Sequence, residues 1–217
     1  TNNGIVFKCN PINGAINSLG NLHYDYISDI IYLGNINSIY TFITSSHDND
    51  IGVWNLANGN NIDIIGSHSS NLSPTYLGVL QLNDILGSYF ASAGADGKVI
   101  IHNEGSWTEH VSFTRHSNPV ISIQALDGLY FASGDTTGRI FIWNWFTAEQ
   151  YNIVLLNNPV YSLSYIGNNK FIASTSTSGG GHITILHSNT GDFINKIAIN
   201  SDEIRIIDSQ EQEDILF

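Results

Sequence analysis

Four stretches of this sequence are variants of one pattern. They are Thr41 to Asn55 (TFITSSHDNDIGVWN), Tyr89 to Asn103 (YFASAGADGKVIIHN), Tyr130 to Asn144 (YFASGDTTGRIFIWN) and Phe171 to His187 (FIASTSTSGGGHITILH), the last with two extra residues at its turn. The anchors Trp54, His102, Trp143 and Leu186 stand 48, 41 and 43 residues apart. A second set upstream, His23, His68, His116, Leu156 and Asn200, is spaced by 45, 48, 40 and 44. A self-similar period of about 44 residues means that one supersecondary unit is copied along the chain, each copy too small to bury a core alone.

Within a period the apolar residues alternate over short runs, as at Val99 and Ile101 or Ile140 and Ile142, and nothing recurs at helical spacing over ten or more residues. Each period therefore reads as four short strands. Turn chemistry marks the joints. Asp127-Gly128 and Gly167-Asn168 fall between the first and second strands, Asp96-Gly97 and Thr137-Gly138 between the second and third, and Asn58-Gly59 and Thr190-Gly191 between the third and fourth. Residues 1–20 match only the last two strands of a period, 21–66, 67–114, 115–155 and 156–200 are whole periods, and 201–217 match only the first two strands. Two arrangements follow: a closed ring of about five units fastened by its two ends, or a section of a longer array. With Thr1 in first place and no methionine anywhere, a piece of something larger is expected.

A period with a His at its opening, an Ala-Ser pair, a polar turn carrying Asp and a Trp closing the third strand resembles the WD-repeat family of β-propellers. The resemblance covers essentially the whole chain. It implies an all-β fold: a β-propeller of four-stranded antiparallel blades in a single domain, 1–217, with about five blades here, four whole and one composite of the two ends, or else a section of a larger propeller. It also implies a buried hydrogen-bonded chain of His, Ser or Thr, Asp and Trp in each blade, because a buried indole N–H and a buried imidazole each need a partner. Carried onto this sequence, that chain is His23, Thr44, Asp48 and Trp54 in the first whole unit. In the second it is His68, Ser92 and Asp96, with His102 replacing the Trp; in the third it is His116, Ser133 and Trp143, with Thr137 where Asp is expected. The fourth keeps little, with Leu156, Gly180 and Leu186 in the His, Asp and Trp places. The Asp of the family's Trp-Asp pair is Asn throughout, at Asn55, Asn103 and Asn144.

Composition narrows the function. Seven Lys and Arg stand against nineteen Asp and Glu, for a net charge of -12, and no basic run exists, which argues against direct nucleic-acid binding. The charged fraction is only 12%, so 26 Asn together with Ser, Thr and Gly supply much of the polar surface. No apolar run approaches the roughly 18 residues of a membrane span, so no membrane partner is expected. A single cysteine, Cys9, and one glycosylation sequon, Asn71-Leu72-Ser73 followed by Pro74, favour a cytoplasmic or nuclear setting.

Neither metal nor cofactor is expected. Three of the eight histidines recur at the repeat period, a fourth fills a Trp slot, and His182 and His187 fall on opposite faces of a strand. The run Ser178-Gly179-Gly180-Gly181 lacks the Lys and following helix of a phosphate cradle and reads as a loosened hairpin turn. The carboxylates form no recurring constellation, so no catalytic residue is assigned and the chain is read as a non-enzyme.

What remains is a platform that binds a protein or peptide partner through its loops, the role implied by the resemblance. Loops entering the first strands offer Asp25, Tyr26, Asn118, Asn158, Asp202 and Glu203; those joining second and third strands offer His47, Ala95 and Thr136. An acidic set with Tyr26 as aromatic anchor fits a basic partner. The insertion Ser69 to Thr75 lengthens one such loop, and Trp145 with Phe146 reads as a solvent-facing aromatic pair present in one unit only. The alternative is a glycan- or small-molecule-binding propeller, which needs matching exposed residues in every unit; a propeller hydrolase comes third.

Overall fold

The computed structural model describes residues 4–10, 12–66, 68–69, 79–85, 88–177 and 180–199, with backbone alone for Asn21, Val79–Ile85 and Thr177. Among them are eighteen β-strands and no helix. The chain divides into two compact units, Thr1–Val120 and Ile121–Phe217.

The first unit opens with β1 (Ile5–Cys9) and β2 (Ile16–Asn21), an antiparallel pair. Sheet one follows, with β3 (Ile27–Ile36), β4 (Ile39–Ser46), β5 (Asp50–Asn55) and β6 (Asn61–Gly66) in sequence order. Sheet two is β7 (Val79–Ile85), β8 (Tyr89–Gly94), β9 (Val99–Asn103) and β10 (Glu109–Phe113). The second unit holds sheet three, with β11 (Val120–Ala125), β12 (Tyr130–Asp135), β13 (Arg139–Asn144) and β14 (Glu149–Leu155), and sheet four, with β15 (Val160–Tyr165), β16 (Lys170–Thr177), β17 (Gly180–His187) and β18 (Phe193–Ile199). All pairings between neighbouring strands for which the register is given are antiparallel. Residues 201–217, and with them half of the composite period, lie outside the described residues, as does the Ser178-Gly179 part of the glycine-rich turn.

The repeat anchors meet across strands. Phe42 lies opposite Trp54, Phe90 opposite His102, Phe131 opposite Trp143 and Phe171 opposite Leu186. The first three pairs stack, with ring centroids 5.9, 4.7 and 6.2 Å apart. A spacing in the sequence thus becomes a cross-strand contact, the unit of sheet stabilisation.

Burial falls off along each sheet. In sheets one to three the second and third strands are almost wholly buried, whereas β17 in sheet four alternates and β6, β10, β14 and β18 are mostly exposed. The reason is coverage on both faces. In the first unit, Val6 packs with Phe42 and Trp54 on one face of sheet one, and Ile43, Ile51, Val53 and Ile65 pack with Phe90 of sheet two on the other. In the second unit, Ala132, Ile140 and Ile142 of sheet three meet Val160, Leu163, Phe171, Ala173 and Leu186 of sheet four. A strand buried on both sides cannot alternate with polar residues, so it carries runs such as Tyr89-Phe90-Ala91-Ser92. Each fully buried Phe or Ile contributes about 1.5 to 3 kcal/mol.

The Asn residues in place of the family's Asp close the turns after the third strand. Asn55 Oδ1 accepts the Ala57 N–H at 2.8 Å, and Asn144 Oδ1 accepts the N–H groups of Phe146 and Thr147, both at 3.0 Å, as Asx turns do. In sheet two the same turn places Trp107 at φ 59, a left-handed conformation that a bulky residue rarely adopts, and its ring packs onto the cluster around Ile43 and Phe90.

Gly138, after the β12–β13 turn, has φ 91, and a Cβ there would stand 2.5 Å from the Asn158 nitrogen, 2.6 Å from its carbonyl oxygen and 2.7 Å from the Asn157 nitrogen. Those contacts are backbone and cannot swing away. Gly138→Ala is therefore expected to destabilise the protein by about 2 to 4 kcal/mol in urea unfolding, combining left-handed strain with overpacking; a change under about 0.5 kcal/mol would contradict the packing described for this turn.

Candidate interaction surface

The polar centre of sheet one is the hydroxyl of Thr44 on β4, which is fully buried. Trp54 Nε1 on β5 donates to Thr44 Oγ1 at 2.8 Å, and His23 Nε2 lies 2.8 Å from the same oxygen. His23 Nδ1 faces the Asp48 carboxylate at 3.0 and 3.2 Å. Donor chemistry fixes the direction of this run. Indole is donor only and an ionised carboxylate acceptor only, so in the neutral imidazole Nδ1–H donates to Asp48, Nε2 accepts from the Thr44 hydroxyl, and that hydroxyl accepts from Trp54. Asp48 also accepts the backbone N–H of Tyr24 at 2.9 Å and of Asp50 at 3.0 Å. Burial works against its charge, but the Tyr24 and Asp50 N–H groups, then His23 and Ser46, hold its carboxyl below the ordinary value of 3.8.

Sheet two repeats the arrangement with one substitution. His68 Nδ1 faces Asp96 Oδ1 at 3.0 Å, His68 Nε2 lies 2.8 Å from Ser92 Oγ, and His102 Nε2 takes the place of the indole at 2.8 Å from that same oxygen. Asp96 Oδ2 accepts the Ser69 N–H at 3.1 Å. Burial raises the Asp96 carboxyl, but His68 and the N–H groups of Lys98 and Ser69 bring it below 3.8. Gly94 makes room: a Cβ there would sit 2.3 Å from His68 Nδ1.

In sheet three, Trp143 Nε1 donates to Ser133 Oγ at 2.8 Å, and His116, in the first unit, is buried with 5% exposure. The turn carboxylate stands two residues before its expected place. Asp135, fully buried, accepts the Thr137 N–H at 2.8 Å, the Thr137 hydroxyl at 2.7 Å and the Arg139 N–H at 3.1 Å through Oδ1, while Thr137 itself is exposed. The Asp-Thr-Thr-Gly run was the available signal. In sheet four Ala173 and Leu186 replace hydroxyl and indole and join the apolar cluster.

These chains end in the loops that carry the partner-binding candidates. Asp25, Tyr26 and His47 come together: the His47 N–H donates to the Tyr26 carbonyl at 2.9 Å and the two rings lie 5.8 Å apart. Asp25 is half-buried, Tyr26 is 49% exposed, and Tyr24, which the sequence reading passed over, is 94% exposed. The signal for Tyr24 is its place directly after the histidine that starts the chain. Asn118 and Thr136 are half-buried loop residues, one in each unit, and Ala95 is buried. Asp202 and Glu203 lie outside the described residues, as does most of the Ser69 to Thr75 insertion.

The expected solvent-facing pair of Trp145 and Phe146 is corrected. Trp145 is buried with 7% exposure, its backbone N–H donating to the Leu129 carbonyl at 3.0 Å so that it continues the pairing at the end of the sheet, whereas Phe146 is 65% exposed. Both also sit beyond the end of β13 opposite Thr136, some six residues or about 20 Å along the strand, so they share no surface with it.

No protein-family model matches this sequence, and no curated protein does. Its structure is similar to two solved WD40 propeller proteins. One is Sqt1 of Saccharomyces cerevisiae, with a TM-score of 0.70 and 17% identity over 88% of this chain and 54% of that one. The other is U3-55K, with a TM-score of 0.73 and 15% identity over 91% of this chain and 62% of that one. The fold is therefore all-β, with four-stranded antiparallel sheets consistent with a β-propeller, and the chain spans between half and two thirds of the length of these structures.

Thr44→Val keeps the shape of the side chain but strands the Trp54 N–H and the His23 ring in a dry site. A loss of about 2 to 4 kcal/mol is expected in thermal or urea unfolding; a loss under about 0.5 kcal/mol would mean the hydroxyl is not the hub of the chain. Stability held through Asp48 and Asp96 is present above their ordinary pKa and lost as pH falls through their lower folded values, so acid unfolding from this source begins below about pH 4.

Proposed function

We propose that this protein is a non-enzymatic scaffold of WD40 type that binds a partner protein or peptide through the loops entering the first strands and joining the second and third strands. One observation carries the reading. The polar chains of sheets one and two are engaged in holding loop backbone, as Asp48 holds Tyr24 and Asp96 holds Ser69, and this leaves exposed loop side chains above a packed core. Side chains used in this way position a surface.

The partner we propose is basic. Asp25 with Tyr24, Tyr26 and His47 offers a carboxylate among aromatic rings, suited to a Lys or Arg side chain, on a protein of net charge -12. Asn118, Thr136, Asp202 and Glu203 belong to the same reading as loop residues of the other periods. Four whole blades and one composite of the two ends, in one domain at 1–217, remain the arrangement we propose, in a cytoplasmic or nuclear setting. Similarity in fold to Sqt1 and U3-55K supports the scaffold class.

The test is quantitative capture from source lysate with wild type and an Asp25→Lys, Tyr26→Ala variant that melts normally. A basic partner retained by wild type and weakened tenfold or more by the variant supports both function and surface. Equal capture by the two forms rejects this surface.

A further inference from the structure

The substitution of His for Trp in sheet two changes what that chain can do. Trp54 ends its chain in a group that neither gains nor loses a proton. His102 ends the equivalent chain in an imidazole that is fully buried, stacked on Phe90 at 4.7 Å, with Nε2 bound to Ser92 and with Nδ1 buried and lacking a hydrogen-bond partner among the described residues. By the donor logic above, Nε2 carries the proton and Nδ1 is a bare lone pair facing a dry site. A proton added at Nδ1 would create a buried cation with no acceptor, on the same side of the sheet as the neighbouring His68 ring.

Among the described residues, the surroundings offer that cation no acceptor. The face of sheet two that carries Phe90 is covered by Ile43, Ile51, Val53 and Ile65 of sheet one, whose fourth strand presents Asp63 to solvent and whose third begins with Asp50 at the loop end. On β10, Glu109 pairs with His102 through backbone and is exposed, as is His110. Lys98 reaches only Asp96, at 4.0 Å, and β7 brings Asp84 into register with Phe90. Asp96 is the carboxylate of the chain and is already committed to His68, Ser69 and Lys98.

We infer that sheet two carries an acid-sensitive latch: the run Asp96, His68, Ser92, His102 holds the loop backbone at Ser69 while His102 is neutral and releases it when His102 takes up a proton. Sheet one ends its chain in Trp54, which takes up no proton, and keeps hold of Tyr24. The consequence is regulation of the loop face by mild acid. That consequence rests on the scaffold reading above, whereas the latch itself does not.

Burial, and then the nearby His68 ring, push the His102 pKa down to about 3, so the ring is neutral in the closed form and gains a proton readily once opened. The sign follows: a depressed histidine contributes stability that is complete above its ordinary value of 6.5 and is lost as the pH falls toward the folded value. Asp48 and Asp96 act only below about pH 4, and Asp50, raised by burial and by Asp48, acts in the opposite direction.

Hydrogen exchange on the full chain at pH 7 and pH 5, corrected for intrinsic rates, reads the latch at the Ser69 amide with the Tyr24 amide as internal control. Protection at Ser69 is expected to fall on the order of twentyfold while Tyr24 holds. In His102→Gln, which keeps an N–H for Ser92 and cannot titrate, both should hold. Parallel loss at the two amides, or loss at Ser69 that persists in His102→Gln, overturns the latch. If that variant does not fold, imidazole nitrogen spectra of the wild type decide: proton uptake by His102 in step with Ser69 opening supports the proposal, and opening without uptake overturns it. Because exchange is read without a partner, failure of the scaffold reading leaves this result intact.

Discussion

A single hydroxyl oxygen, accepting a ring N–H from the third strand and facing an imidazole from the preceding loop, is the contact on which each well-formed sheet depends. It is Thr44 in sheet one and Ser92 in sheet two, and the Ser133 hydroxyl takes the indole of sheet three. The position is buried on both faces of the strand, so an unpaired polar atom there costs more than the paired atom contributes. That asymmetry locks the elements together. The loop histidine cannot leave without stranding the hydroxyl, and the carboxylate that orients the histidine also holds the next loop backbone. A local hydrogen bond thereby sets the position of exposed side chains several residues away.

The chain is not a uniform copy of this device. Sheet one has the full set, sheet two substitutes His102, sheet three moves its turn carboxylate to Asp135, and sheet four has exchanged hydroxyl and indole for Ala173 and Leu186 in an apolar cluster. Phe42, Phe90, Phe131 and Phe171 hold the same cross-strand place throughout. The aromatic framework is therefore the constant of the fold, and the polar chain varies upon it. Where the chain is complete, the loops above it are pinned by side chains; in sheet four an apolar cluster fills the same place.

Much of this was legible in the sequence, because repetition averages out the ambiguity of any one segment. The four strands per period were readable from apolar alternation, the turns at Asp96-Gly97 and Thr137-Gly138 from their residue types, and the third-strand anchors from spacing. Other features were not. Trp145 and Phe146 are adjacent aromatics that the sequence pattern does not separate, and in the fold Trp145 turns inward while Phe146 stays exposed. Asp135 escaped because the repeat places the carboxylate in the turn, at Thr137, whereas here it ends β12 and reaches the N–H groups of Thr137 and Arg139 from the strand end. Trp107 reads as a poor choice for a left-handed turn position, and only its packing on the neighbouring sheet explains it.

The account turns on the direction of the hydrogen bonds around Thr44 and Ser92, which imidazole nitrogen spectra of the folded protein at neutral pH report directly. His23 and His68 are predicted to carry their proton on Nδ1 and to accept at Nε2, with His102 protonated on Nε2. Finding His23 or His68 in the opposite tautomer would contradict the account, since the hydroxyl would then receive two donors and the carboxylate would face a lone pair.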